Sequence, residues 1–391
     1  MNARSLTLLC CAMTAVTIMA QERYVDVSGS GARKFSVSVN VANADFAKCL
    51  ARNLKLSGLF TIDKSGSIKV SGGSGSVRVE GMGKAISSSA PFGDAKSARD
   101  AARKLSDSMC EAFGKQKGFA CDRIVFLNRG GSRGSSGTLP GEICVTYPDG
   151  YDIRQLTRDG KMTVFPRWMK DGETILFIGD LRGAPQIWEM NTATGKRNAK
   201  WSFKGTPTGI AVSPDGTRVA AVLSFQGNPE LYVISNIASA NPSWTRLTNT
   251  KFASEGQPTW SPDGKKIAYV SDETRSPQIY VIDVASKAKR RLTSRGSQNI
   301  DPDWGNDGRI VYITKRGDPK VAVMSPAEGD ASAKIVAESA NWEHPSWSRD
   351  MRHVVASHDR ALFVIDTMEG GDAPMQMFFA NGNWISPTWV K

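Results

Sequence analysis

Serine, histidine, cysteine and paired aspartates are the residues of this 391-residue chain that could do chemistry. Gly130-Gly131-Ser132-Arg133-Gly134 spells G-x-S-x-G, the spacing that holds a nucleophilic serine on a sharp strand-to-helix turn. Here it falls in a Gly/Ser-rich loop with no elbow of that kind, so no nucleophile is expected. The three histidines, His344, His353 and His358, lie together near the C-terminal end. Asp301 and Asp303 have a spacing that suggests a cation, yet two spaced carboxylates are ordinary turn composition, and no metal is expected. Cys49, Cys110, Cys121 and Cys144 contain no C-x-x-C pair, which argues against zinc. The chain reads as a non-enzyme without catalytic residues or cofactor.

The elements that must position these residues are repeats. The clearest copy runs from Gln257 to Val270 and contains Trp260-Ser261-Pro262-Asp263-Gly264. Weaker copies are centred on Trp168, Val212, Trp304 and Trp347, so the spacing is 43–48 residues. A period in the forties with several short strands per unit is the signature of a β-propeller. In each repeat a short strand ends at the Trp, Pro-Asp-Gly turns the chain, and an apolar strand such as Ile267–Val270 follows. A third strand (278–283) and a basic fourth (ending Arg290-Arg291-Leu292-Thr293) complete the unit. The tryptophans are expected to pack between neighbouring blades.

The two ends of the repeat region complete each other. Residues 123–157 hold the later strands of a blade without its opening strand, and Trp384–Trp389 is an opening strand with nothing after it. A sixth blade built from both ends closes the ring and leaves no open sheet edge. With it the ring has six blades.

Before the propeller, Met1 to Ala20 has one early charge, Arg4, and then an uncharged, mostly apolar run. That pattern suits a secretory signal and is short for a membrane span. A soluble exported protein with no transmembrane span is expected. Between Glu22 and Ala120, strands are expected at Tyr24–Val27 and Phe35–Val39, helices at 45–56 and 97–113, and a hairpin at 67–70 and 76–79. The domains are then 1–20 signal peptide, 21–122 α/β domain and 123–391 propeller. Cys10 and Cys11 fall inside the expected signal peptide, and the four remaining cysteines of an exported protein allow three full pairings. A bridge between Cys49 and Cys110, both on expected helices, is favoured. The net charge of +12 is dispersed, with Lys287–Arg291 the one dense run, so nucleic acid is not an expected partner.

The combined order of these features resembles the TolB family of exported envelope propellers. Ser57-Gly58-Leu59-Phe60 after the first helix carries the resemblance. So do the junction Ala101–Asp107 … Lys117-Gly118-Phe119-Ala120-Cys121-Asp122-Arg123-Ile124-Val125-Phe126 and the closing Pro387-Thr388-Trp389. The resemblance implies a monomeric, non-enzymatic periplasmic scaffold of the Tol–Pal system. Its partners would be a Pal-like peptidoglycan-associated lipoprotein at one mouth of the propeller and a TolA-like inner-membrane-anchored protein. The segment matching the TolA-reaching strand is Glu22, Arg23, Tyr24, Val25, Asp26 and Val27, and such a strand binds by adding to a sheet edge. Outer-membrane integrity and constriction at division are the implied roles.

For the mouth, the residue ahead of each proline position is nominated because it enters the innermost strand: Phe165, Gly209, Gln257, Asp301, His344 and Ser386. Glu255 and Asn341, just upstream, are secondary candidates. The sequence departs from the family pattern at Ile210 and Val212, at Met351 where glycine is expected, and in the Gly/Ser-rich stretch 71–93. The alternative reading is an exported carbohydrate- or peptidoglycan-binding propeller. Exposed aromatics around the mouth would favour it, and a polar mouth would favour Pal.

Overall fold

The computed structural model describes residues 34–390, apart from 74, 89–91, 131–139, 202–204, 226, 369–370 and 379–381. The expected signal peptide, the segment Glu22–Val27 and most of the G-x-S-x-G stretch lie outside the described residues. The N-terminal domain is a five-stranded sheet, β1 (Phe35–Val41), β2 (Phe60–Ile62), β3 (Ile68–Gly72), β4 (Val77–Gly81) and β5 (Lys84–Ser88), in the order β2-β1-β3-β4-β5. Two helices, α1 (Ala44–Leu56) and α2 (Ala95–Met109), pack on it.

Each helix begins where its sequence supplies a cap. The Asn43 side chain accepts the Phe46 N–H at 2.9 Å, and Asp94 and Ser97 cap α2 reciprocally, satisfying N–H groups that the first turn leaves without partners. Phe46, Cys49, Leu50 and Leu54 form the buried stripe of α1. Strand β5 was not expected in the Gly/Ser-rich stretch. It forms because Met82 and Gly83 both take positive φ, 52° and 74°, the two-residue turn whose twist matches a hairpin.

The rest of the chain is a ring of six four-stranded sheets. Blades 1 to 5 span 163–199, 206–246, 255–291, 298–337 and 342–376, and the sixth pairs Trp384–Trp389 with Ile124–Asn128, Glu142–Thr146 and Arg154–Gln155. The split blade is antiparallel, with Trp384 opposite Asn128 and Trp389 opposite Ile124. Five tryptophans sit between blades, as expected: Trp168, Trp260, Trp304, Trp347 and Trp389 are each at most 7% exposed. Each reaches toward its neighbour. Trp260 Nε1 donates to Ala211 O of the preceding blade at 3.1 Å, and the Arg218 guanidinium lies 4.7 Å from the Trp260 ring. Gly264 takes φ +65° in the turn that follows, and Met351 holds the same conformation at 56° in blade 5.

The N-terminal domain sits on the face formed by those turns, over blades 5 and 6. Phe119 packs against Trp389 and His353. Arg52 donates to the carbonyls of Asp149, Gln376 and Met377, and Arg103 pairs with Asp149. This interface also decides the cysteines. The expected Cys49–Cys110 bridge is absent, and all four cysteines are free thiols. The interdomain polar cluster takes Cys49, whose Sγ lies 3.3 Å from Asp149 Oδ2. Burial pushes the Cys110 and Cys144 thiols up to about 12, so they are protonated and unreactive at neutral pH.

Candidate functional site

The innermost strands carry a repeated irregularity. In blades 3, 4, 5 and 6 the register slips between Gly256 and Thr259, Ile300 and Asp303, Glu343 and Ser346, and Ile385 and Thr388; blade 1 slips between Leu176 and Ile178. Each slip is a β-bulge. At its centre Phe165, Gln257, Asp301, His344 and Ser386 take φ between 48° and 53°. All five precede a proline. Left-handed backbone costs a non-glycine residue about 1–2 kcal/mol, and strain of this kind collects at functional sites. Blade 2, with Ile210 in place of proline, has its slip between Pro207 and Gly209.

The bulges turn backbone N–H groups toward the neighbouring blade, where side chains accept them. Gln257 Oε1 accepts the Asp301 N–H at 3.0 Å, and Asp301 Oδ2 accepts the His344 N–H at 3.2 Å. The Gln257 side-chain amide also donates to Asp301. A second tier runs through the residue between each Pro and Trp. Thr259 Oγ1 accepts the Trp304 N–H at 3.0 Å, Asp303 Oδ2 that of Trp347 at 2.8 Å, and Ser346 Oγ that of Trp389 at 3.2 Å. Thr388 Oγ1 donates to Pro166 O at 2.9 Å and accepts from Arg167 Nη1 at 3.0 Å. The two tiers link blades 3, 4, 5, 6 and 1 in turn along the inner wall of the ring.

The tiers surround a cavity of about 360 Å³. Phe165, Gln257, Asp301 and His344 line it, the second tier adds Arg167, Thr259, Asp303, Ser346 and Thr388, and beside the turns it reaches Lys170, Pro214 and Asn306. The last three are exposed, so the cavity opens on the face of the Pro-Asp-Gly turns, the face that carries the N-terminal domain. Burial pulls the Arg167 guanidinium below its ordinary value, with Asp303 and Asp301 acting in the opposite sense.

Four of the eight nominated mouth residues, Phe165, Gln257, Asp301 and His344, therefore line the cavity. Gly209 and Ser386 do not line it, and Ser386 is buried. Glu255 is a correction: it is 4% exposed and lies between blades 2 and 3, not at a mouth. Burial pushes its carboxyl up to about 7, with the Ser271 side chain acting in the opposite sense. Asn341 is exposed and bonds Asp359 at 3.0 Å, away from the cavity. The second-tier residues had not been nominated as mouth residues. Their signal was available, since Arg167, Thr259, Asp303, Ser346 and Thr388 put a polar side chain between Pro and Trp in five repeats. Among the described residues no group of His, Cys, Asp and Glu could hold a metal, and no helix is long and apolar enough to cross a membrane.

Comparison with known proteins agrees with this architecture. The family model described as the TolB beta propeller domain matches residues 110–391. The Tol-Pal system protein TolB of Desulfosudis oleivorans is 28% identical over 145 residues, 37% of this chain and 31% of that protein. That of Xylella fastidiosa (strain Temecula1) is 29% identical over 111 residues, 28% of this chain and 25% of that protein. These matches thus span less than a third of either relative. The crystal structure of TolB from Acinetobacter baumannii superposes with a TM-score of 0.77 at 21% identity, covering 95% of this chain and 100% of that one; at that identity it speaks for the fold. With the family model spanning all six blades and the strand that closes the ring, the chain belongs to the TolB β-propeller family.

Proposed function

We propose that this protein is a non-enzymatic periplasmic scaffold of the Tol–Pal system, exported by a signal peptide removed near Ala20. In this reading a Pal-like peptidoglycan-associated lipoprotein docks over the open mouth of the channel. The segment Glu22–Val27 is offered to a TolA-like protein, and the bridge supports outer-membrane integrity and constriction at division. The observation that carries the reading is a mouth that opens on the same face as the N-terminal domain. A docked partner there lies beside the domain that bears the TolA-reaching segment. The rim presents Lys170, Pro214 and Asn306, and among the described lining residues no aromatic is exposed, which favours a protein over a carbohydrate ligand. The test is binding of a purified Pal domain to the mature chain and to Lys170→Glu, an exposed rim variant. Binding at tens of micromolar or tighter, weakened about tenfold or more by the charge reversal, supports docking at the mouth. Absence of binding to the wild type refutes it.

A further inference from the structure

The face of the propeller opposite the N-terminal domain is made of the loops that follow the second and fourth strands of each blade. Two of them, both leaving strands of blade 2, present phenylalanine to solvent. Phe252 is 82% exposed and Phe225 45%. A single exposed ring is ordinary, but neighbouring ones mark a surface that something covers. The two loops form one patch, because Asn228 Nδ2 donates to Thr250 O at 3.1 Å. Phe225 rests edge-on against Tyr232 with 5.4 Å between ring centres, and the Lys251 ammonium lies 5.1 Å from the centre of the Phe252 ring. The turn that carries Lys251 and Phe252 is pinned on both sides. The Thr250 N–H donates to Glu230 Oε1 at 2.7 Å and the Ser254 N–H to Asp272 Oδ1 at 2.7 Å, and Ala253 is buried. The same face is basic. Lys161, Arg182, Lys251, Arg275, Arg316 and Arg360 run around the ring from the loop entering blade 1 to blade 5. All six are exposed, and none has an ion pair among the described residues. The acids of these loops are partly neutralised, Asp159 by Arg197 and Glu273 by Lys289, which leaves a positive excess.

We propose that this face rests on an anionic lipid surface, with Phe252 and the adjacent Phe225 entering the headgroup boundary and the surrounding cations facing the lipid phosphates. Apolar area and basic charge act together in binding of this kind, and salt screens only the second. The layout decides between a bilayer and an acidic protein. A protein partner of ordinary size meets a patch whose centre is apolar and poor in charge. Here the cations spread around the ring, Phe252 stands out from among them, and the cavity of the channel opens on the other side. A projecting ring within a broad basic field fits a plane. The hydrogen bonds at Thr250 and Ser254 hold the turn before any contact is made, which limits the cost of ordering it. The surface lies opposite the mouth, so it is independent of partner docking.

The test is co-sedimentation of the purified mature chain with large vesicles, either pure phosphatidylcholine or phosphatidylcholine with about 30% phosphatidylglycerol. At low salt the anionic vesicles are expected to bind about tenfold or more tightly than the neutral ones, and less tightly as salt rises. Phe252→Ser and, separately, Lys251→Glu should each weaken that binding by about fivefold or more. Both side chains are exposed, so neither change threatens the fold. Lys265→Glu, the same charge reversal on the opposite face, should bind as the wild type does. No binding to anionic vesicles, an unchanged affinity in Phe252→Ser, or an equal loss in Lys265→Glu would each overturn the proposal. So would capture of soluble polyglutamate in preference to the vesicles, which would assign the face to an acidic protein. No partner protein is present, so failure here leaves the docking test standing, and the reverse.

Discussion

Arg103 of the second helix donates through Nε to Asp149 of the split blade at 2.7 Å, with side-chain exposures of 1% and 0%. Asp149 also accepts from Asn53 at 3.0 Å, and Arg103 reaches Asp152 at 2.8 Å. The ion pair belongs to the interface between domains, and removing Asp149 takes from Arg103 its one fully buried partner, leaving the part-exposed Asp100 and Asp152. Asp149→Ala is expected to cost about 3–5 kcal/mol in denaturant unfolding of the whole chain. A loss below about 1 kcal/mol would show that this contact does not tie the domains together.

The next residue, Gly150, has φ +77°, and a Cβ there would lie 1.9 Å from Met377 O. Both the backbone conformation and the close approach require glycine. Gly150→Ala should lower stability by well over 1 kcal/mol. Gly160→Ala has a similar φ of +60° but open space around it, so it should cost only about 1–2 kcal/mol. Equal losses would place the whole effect in the backbone and none in the interface.

Glu255 makes stability depend on pH in an unusual direction. Its carboxyl ionises at about 7 when folded against 4.5 ordinarily, chiefly because it is buried. Between those values the folded state binds more protons than the unfolded chain, so this group's contribution falls as pH rises through the window and is flat above about 7. The span corresponds to about 3 kcal/mol as an upper figure. Glu255→Gln should therefore gain stability over the wild type at about pH 8 and lose most of that advantage near about pH 5. Parallel pH profiles for the two proteins would contradict the assignment.

The second tier of the channel holds blades together through single acceptors. Thr259→Val keeps the shape and removes the oxygen that accepts the Trp304 N–H. An unsatisfied N–H at that buried seam should cost about 1–3 kcal/mol, whereas Thr259→Ser should cost much less. A silent valine variant would mean that water replaces the bond.

The ring, its count and its closure were legible from Trp168, Val212, Trp260, Trp304, Trp347 and Trp389, because a seam between blades needs one large side chain per repeat at one register. The site was legible only in part. Glu255 stands two residues before Gln257, and it was nominated only for lying just upstream of the residue ahead of the proline. The bulge at 257–258 inserts an extra residue, so Glu255 shares the face of Tyr269 and Trp260 and is buried with them. Arg167 was missed because the nomination stopped at the residue before proline, although a charged side chain next to a buried Trp in an inner strand signals a lined cavity. The interdomain role of Cys49 and Asp149 lay beyond reach. It depends on contacts between residues about one hundred positions apart, and no local pattern encodes them.

The most direct test of the scaffold role is recovery of partners from an envelope extract with the mature chain, beside Lys170→Glu and a Gln257→Arg, His344→Glu double variant. A Pal-like lipoprotein retained by the wild type and lost from Lys170→Glu is the predicted result, and loss from the double variant as well would extend the contact to the first tier of the channel. Retention of glycan in place of lipoprotein by the wild type would contradict the Tol–Pal assignment and favour a carbohydrate-binding propeller.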